Sequence, residues 1–216
     1  MNQIINNEKI ARKKSKIIPR LIIISGVIVF IVLLSILVFN FVIKNSEHKA
    51  SITDLQKHWN AYDYESVYSL SNDILIENPF NNTALTYHGY SAFYLAVSQI
   101  DTALSQSYLD EAINNMRNAL LNAKRSLIPQ LEYMLGKAYF YKNTITSYYY
   151  ADLAVKYLVS ARKHGYKADD IPEYLGLSYA ALGQTMESIS AFTEALLIRE
   201  SDTLLLSIAE QYYKIQ

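Results

Sequence analysis

The sequence predicts an all-α chain: a superhelical solenoid of four helix pairs plus a final helix, tethered by one N-terminal transmembrane helix. Three observations predict it. The stretch Asp169–Asp202 is 34 residues long and reads as two amphipathic helices around Gly183, with Leu175, Gly176 and Tyr179 in the first and Phe192 and Ala195 in the second. The same order of small and aromatic residues recurs toward the N-terminus, and recurrence at a period of about 20–50 residues marks stacked repeats rather than a closed globule. Leu21–Ile43 is a run of 23 residues without a charge. At about 1.5 Å per residue it makes roughly 34 Å of helix, enough to cross a hydrocarbon core.

Residues 1–20 form a basic tail, in which Lys9, Arg12, Lys13, Lys14, Lys16 and Arg20 face a single acid, Glu8. The span at 21–43 is broken only by Ser25, Gly26, Ser35 and Asn40. A cleaved secretory signal would have a shorter apolar core and a small-x-small site after it, but the sequence continues Val42-Ile43-Lys44-Asn45-Ser46-Glu47. It therefore reads as an uncleaved signal anchor. The basic tail outweighs Lys44 and Lys49, so the positive-inside rule puts the N-terminus in the cytoplasm. The expected location is the inner membrane, single-pass, with the repeats outside it, in the periplasm of a two-membrane cell.

After a linker at 44–47 the repeats tile the chain. The first, 48–81, contains Tyr62-Asp63-Tyr64 and Val67 and closes at Pro79. The second, 82–128, has Gly89, Ala112, Met116 and Ala119; the third, 129–168, has Leu135-Gly136, Tyr139, Ala154, Leu158 and Ala161. The fourth is 169–202, and a half repeat, 203–216, follows. Glycine allows the paired helix to approach closely, the rings fill the seam, and Gly183 supplies the left-handed backbone that ends a helix. Breaks are expected near 60–63, 78–82, 101–105, 126–129, 143–146, 164–165, 183–184 and 201–202. Asn78-Pro79 excludes helix at the preceding residue, Pro129 and Pro172 suit first turns, and Ser201 or Asp202 can cap the last helix. The extra residues of the second and third repeats predict longer helices there, by one or two turns each.

The L-G-x-x-Y…F-x-x-A spacing resembles the tetratricopeptide-repeat (TPR) family. That resemblance implies a protein-binding solenoid whose first helices line a concave groove for an extended peptide or a helix. Carried over by position, the groove residues are Trp59, Tyr90, Phe93, Tyr94, Tyr133, Lys137, Phe140 and Tyr141. Two readings stay open for them: partner-binding rings, or rings that pack between helices. The lysine and asparagine clamp of the chaperone-binding subset is absent, since Ile52, Gln56 and His88 occupy its positions. At the C-terminal edge, Leu206, Ala209 and Tyr213 are expected to meet the fourth pair. Leu205, Ile208 and Tyr212 then form a bare apolar stripe for a second copy or another subunit. The resemblance implies a non-enzymatic, membrane-anchored scaffold of a periplasmic complex. One version is similar to membrane-linked collar proteins of the spirochaete flagellar motor; the alternative resembles translocon-associated periplasmic proteins that act as chaperones.

Composition excludes several classes. Net charge is zero, so a basic tail leaves the repeats mildly acidic, which disfavours nucleic acid. No cysteine is present, ruling out disulfides and thiol nucleophiles. The four histidines, His48, His58, His88 and His164, lack metal spacing; His58 and His88 occupy corresponding positions and are read as packing residues. Acidic pairs such as Asp169-Asp170 sit at helix starts, where they favour the macrodipole. No active site, cofactor, metal or small-molecule substrate is expected. Nineteen tyrosines, with abundant Ile, Asn and Lys, point to an AT-rich bacterial genome.

Protease added to intact spheroplasts should digest the repeats and spare a cytoplasmic marker. Reversing the charge of Lys13, Lys14 and Lys16 should scramble insertion. Repeats that survive until the membrane is dissolved would refute the orientation.

Overall fold

The computed structural model describes residues 30–36, 38, 51–146 and 149–215. The chain divides into two units, Met1–Lys49 and Ala50–Gln216. In the first, the described residues are helical and exposed. The tail at 1–20, most of the span expected at 21–43 and the linker at 44–47 lie outside the described residues. Among those that are described, no helix is long and apolar enough to cross a membrane.

In the second unit the described residues form nine helices and no strand: α1 (Ile52–Asn60), α2 (Tyr64–Glu77), α3 (Asn82–Ser98), α4 (Thr102–Leu121), α5 (Ile128–Thr146), α6 (Ala151–Lys163), α7 (Ile171–Ala181), α8 (Thr185–Ile198) and α9 (Asp202–Tyr213). Short turns make successive helices antiparallel, and each packs on the one before and the one after. Helices α1, α3, α5 and α7 also touch one another in sequence, forming the inner layer of the solenoid. The all-helical fold expected from the repeat pattern is what the structure shows.

Local chemistry explains the ends. Asp54 N donates to Ser51 Oγ (3.2 Å), Ser66 N to Asp63 Oδ1 (3.1 Å), Ala84 N to Asn81 Oδ1 (3.0 Å), and Ala103 N and Leu104 N to Asp101 Oδ1 (2.8 and 3.1 Å). Each bond satisfies an amide that the first helical turn leaves free. Hydrogen bonding from Ser66 and then His58 holds the Asp63 carboxyl down at about 2, so this cap stays charged into strong acid. Asn78, before Pro79, is extended (φ −139°), and Pro172 occupies the first turn of α7. Ser201 is the residue before α9 but makes no capping bond; its Oγ lies 2.6 Å from Thr203 Oγ1 instead. The middle residues of two three-residue turns are left-handed, Gly183 (φ 71°) and Tyr62 (φ 57°).

Helix lengths depart from expectation in the third repeat. In the second, both helices are long, 17 and 20 residues, against 9 and 14 in the first. In the third only α5 is long, at 19 residues, while α6 has 13. The break expected at 143–146 is absent because α5 continues through Thr146. Asn143 Oδ1 accepts from Tyr150 N (3.1 Å) and the Lys142 ammonium lies over the Tyr150 ring (4.5 Å), so the returning chain is fastened one turn below the end of α5.

Helix pairs cross at glycine. A Cβ at Gly89 would stand 2.6 Å from Met116 Cγ, one at Gly136 2.6 Å from Leu158 Cγ, and one at Gly176 2.5 Å from Phe192 Cδ1. Ala112, Ala119, Ala154 and Ala161 are fully buried between the layers. The largest apolar core is built from α3 to α7, with contribution from Ala191 of α8. Smaller clusters surround Leu55, Val67, Ile74 and Ala84 at the N-terminal end and Phe192, Ala195 and Leu204 at the other.

Gly136→Ala and Gly176→Ala should each destabilise the fold by about 1–3 kcal/mol through overpacking, despite a helix-propensity gain of up to about 1 kcal/mol. Gly183→Ala meets no neighbour within 4 Å and should lose only the left-handed preference, about 1–2 kcal/mol. Urea denaturation checks the ranking; wild-type behaviour of both helical variants would mean that Leu158 and Phe192 yield freely.

Candidate functional site

The inner layer presents a track of aromatic rings. Trp59 of α1 lies with its centroid 5.5–5.9 Å from those of Tyr64, Tyr87, Tyr90 and Tyr94. Tyr64 and Tyr94 stack at 4.3 Å. Phe93 connects Tyr94 (5.4 Å) to Tyr141 (5.6 Å), and Phe140 of α5 packs edge-on against Tyr174 of α7 (4.9 Å). One continuous set of rings thus runs from α1 to α7, which the spacing of tyrosines on successive inner helices had indicated.

Burial separates the eight groove positions. Tyr90, Phe93 and Tyr133 are 4, 2 and 8 % exposed and belong to the core. Trp59, Tyr94, Lys137, Phe140 and Tyr141 are half-buried. The first three are therefore seam rings in this structure, because α3 and α5 are covered on several sides at once. Lys137 is not a free cation: its Nζ donates to Asp170 Oδ2 (3.0 Å) and Tyr133 OH (3.2 Å) and lies about 5 Å from the Tyr133 and Tyr174 ring centroids. Tyr133 OH in turn donates to Asp170 (2.7 Å). Tyr64, Tyr87, Tyr166, Tyr174 and Asp170 complete the surface. Of these, Tyr87 was legible, one helical turn before Tyr90 on α3; Tyr166 and Asp170 reach the groove from a connecting turn that no periodicity reveals.

Between α1, α3 and the turn before α5 lies a cleft of about 460 Å³, bordered by Gln56, Trp59, Asn82, Tyr87, Lys124 and Gln130, among others. Its lining includes amides, hydroxyls and rings, one cation and no carboxylate. Asn82 Oδ1 and Tyr90 OH, both at its wall, have no hydrogen-bond partner. Burial, first of all, pushes the phenols of Tyr90, Tyr94, Tyr133 and Tyr174 well above their ordinary range, so the groove presents neutral hydroxyls.

The histidines go to separate partners. His58 Nδ1 is 2.9 Å from Asp63 Oδ2. His88, 2 % exposed, places Nδ1 2.9 Å from Ser71 Oγ and Nε2 2.9 Å from Glu111 Oε1, while Tyr68 OH donates to Glu111 Oε2 at 2.6 Å. This Ser–His–Glu line has the residue types of a hydrolytic triad but not the access. Ser71 is fully buried and donates to the Tyr68 carbonyl (2.9 Å), so the line joins α2, α3 and α4 instead. Among the described residues no group of His, Asp and Glu is placed to hold a metal ion.

At the C-terminal edge the face of α9 differs from the expectation. Leu204 (2 % exposed) and Gln211 (3 %) are buried, and Ile208 packs on the Phe192–Ala195–Leu204 cluster. Leu206 and Tyr213, expected to face the fourth pair, are exposed, together with Leu205 and Tyr212. The buried face lies nearly opposite the expected one, about two residues round the helix, because helical spacing from Leu204 selects Ile208 and Gln211. Leu205 and Tyr212 remain on the open face; Ile208 does not.

Solved structures share the fold at low identity. MamA of MSR-1 aligns with a TM-score of 0.60 and 18 % identity over 76 % of this chain and 83 % of its own. MamA of AMB-1 gives 0.60 and 19 % over 76 % and 86 %. YrrB, a TPR protein with an unusual peptide-binding site, gives 0.55 and 16 % over 82 % of each chain. No family model and no curated protein matches the chain. The likeness shows that this chain has the fold of TPR solenoids.

Tyr90→Ala and Phe93→Ala should each cost about 3–5 kcal/mol of folding free energy, as truncations of buried aromatics do. Gln56→Ala and Gln130→Ala, at the cleft rim, should stay within about 0.5 kcal/mol of wild type. Equal melting of all four variants would place Tyr90 and Phe93 on the surface.

Proposed function

We propose that this chain is a non-enzymatic scaffold that gathers other proteins at a membrane. Its anchor is the span at 21–43, its N-terminus is cytoplasmic, and its repeats stand at the outer face of the inner membrane. The observation that supports partner binding most directly is the half-buried ring track running beside a cleft rich in amides. Rings supply contact area, and the cleft amides of Gln56, Asn122 and Gln130 supply hydrogen bonds for the main chain of an extended segment or the turn of a helix. YrrB, a chain of the same fold, has an unusual peptide-binding site, which favours the same use of the groove here.

A second contact is the open face of α9, where Leu205, Leu206, Tyr212 and Tyr213 lie exposed. Exposed apolar side chains grouped in this way suit a second copy or a different subunit. Within this reading the assembly is a periplasmic complex of the kind formed by a flagellar motor collar. The alternative is a translocon-associated, chaperone-like protein, which would hold unfolded clients weakly in the groove rather than one partner in fixed ratio.

Recovery from cross-linked membranes, read by mass spectrometry, tests both. Tyr87→Ala with Tyr141→Ala should reduce partner recovery by roughly tenfold or more, since anchor rings commonly contribute about 2 kcal/mol each. A fixed set of partners supports the scaffold and a broad set of unfolded chains the chaperone. Unchanged recovery from the double variant would remove the groove from partner binding.

A further inference from the structure

Because every turn reverses the chain, the solenoid has two edges of unlike chemistry. Odd-numbered helices begin and even-numbered helices end on one edge, which holds Ser51 and the turns 78–81, 122–127, 164–170 and 199–201. The turns 61–63, 99–101 and 182–184, with residues 149–150, form the other. Both edges expose large apolar side chains. On the first, Ile76, Phe80, Leu121 and Leu197 are 72, 85, 81 and 85 % exposed; on the second, Tyr62, Ile100 and Tyr149 are 77, 101 and 82 % exposed. Apolarity does not distinguish them, but charge does.

The middle of the first edge carries Lys124, Arg125, Lys163 and Lys167, all exposed and none in an ion pair among the described residues. Of the nearby acids, Asp170 is bound to Lys137, Asp169 stands beside Lys167, and Asp54, Glu77, Glu200 and Asp202 lie toward the two ends of the edge. The opposite edge has Asp63, Glu65, Asp101, Asp152 and Glu187 in its turns and first helical turns, against Lys57 in the last turn of α1.

We propose that the edge built from turns 78–81, 122–127 and 164–170 lies against the anionic surface of a lipid bilayer. Phe80 and Leu121 enter the headgroup region, and Lys124, Arg125, Lys163 and Lys167 meet lipid phosphates. Each basic side chain close to an anionic surface strengthens association about fivefold, while an acidic edge is repelled. Exposed apolar tips beside cations are the chemistry of an interfacial contact, and Phe80, Leu121, Arg125, Lys163 and Lys167 sit at turns and helix ends outside the cleft, which of this set only Lys124 borders. The edge chemistry rests on the repeats alone. A span would hold the chain at a membrane whichever edge faced it, so orientation is an additional property.

The full chain contains no cysteine, so Leu121→Cys and Ile100→Cys each create one labelling site. Each labelled chain is reconstituted in phosphatidylcholine vesicles with and without phosphatidylglycerol and a headgroup-bound quencher. The dye at 121 should be quenched several-fold more than the dye at 100, and only with anionic lipid. Lys124→Glu, Arg125→Glu and Lys167→Glu together should bring the 121 signal down to that at 100 with helical content unchanged. About 1 M salt, where the screening length is about 3 Å, should do the same without any substitution. Equal quenching at both sites, or none at either, overturns the proposal. So does quenching at 121 that requires added membrane proteins, which would make an acidic protein the occupant. A carbonate wash separates the two readings: a chain that resists it with an unquenched 121 label refutes the edge and keeps the anchor. One that is stripped, yet was quenched at 121 beforehand, refutes the anchor and keeps the edge.

Discussion

Everything in this array depends on how closely two helices of a pair can cross. Gly89, Gly136 and Gly176 each receive a large side chain, Met116, Leu158 or Phe192, where a Cβ would stand. The crossing sets the spacing within the pair, and the buried alanines of the outer helices set the spacing to the next one. The first repeat meets the same constraint with the sizes exchanged. Seven residues before its left-handed turn residue Tyr62 is Leu55, and nine after it is Ser71; the same offsets from Gly183 give Gly176 and Phe192. Leu55 and Ser71 are both fully buried. A large residue on the inner helix is thus matched by a small one on the outer.

That exchange explains why the first repeat is hard to read. Its sequence has neither the glycine at the crossing nor the glycine in the turn, and Tyr62 takes the latter's left-handed conformation unaided. In the third and fourth repeats the fold was legible because Leu-Gly-x-x-Tyr is a packing requirement written in adjacent residues; of it the second repeat keeps only Gly89. The groove was legible only in part. Tyr90 and Tyr94 lie a helical turn apart on α3, yet one is core and the other half-buried, and α3 buries residues on nearly every side because α1, α2, α4 and α5 all pack on it. Periodicity identifies a buried face only when a helix has a single one. The face of α9 failed for a related reason: its apolar residues, Leu204, Leu205, Leu206, Ile208, Ala209, Tyr212 and Tyr213, lie all round the helix, so no single stripe stands out.

Polar residues tie the repeats to one another across long sequence intervals. Glu111 receives both His88 and, from the first repeat, Tyr68, while within the third repeat Glu132, 7 % exposed, accepts from Ser160 Oγ (2.8 Å) and lies 2.6 Å from His164 Nδ1. Lys142 is paired with Asp110, whose attraction outweighs the effect of burial and raises the ammonium above its usual range. Such pairs contribute geometry more than net stability, since a buried charge left without its partner is heavily penalised. They fix the angle between successive pairs, and with it the separation of Trp59, Tyr94 and Tyr141 along the groove.

The apolar core is concentrated in α3 to α7, which include the three longest helices, α3, α4 and α5, and thins to a few residues under α1, α2, α8 and α9. In a one-dimensional array each end has only one neighbour to hold it, so local opening begins at the ends and meets its highest barrier in the middle. Amide hydrogens of α1 and α9 should therefore exchange through fraying, and those of α3 to α5 through events close to global unfolding. A segment seated along the ring track would touch the loose end at Trp59 and the firm centre at Tyr141 together. Part of its binding energy would be spent on ordering α1, so affinity and the folding of the first repeat are linked in this chain even with no change in backbone path.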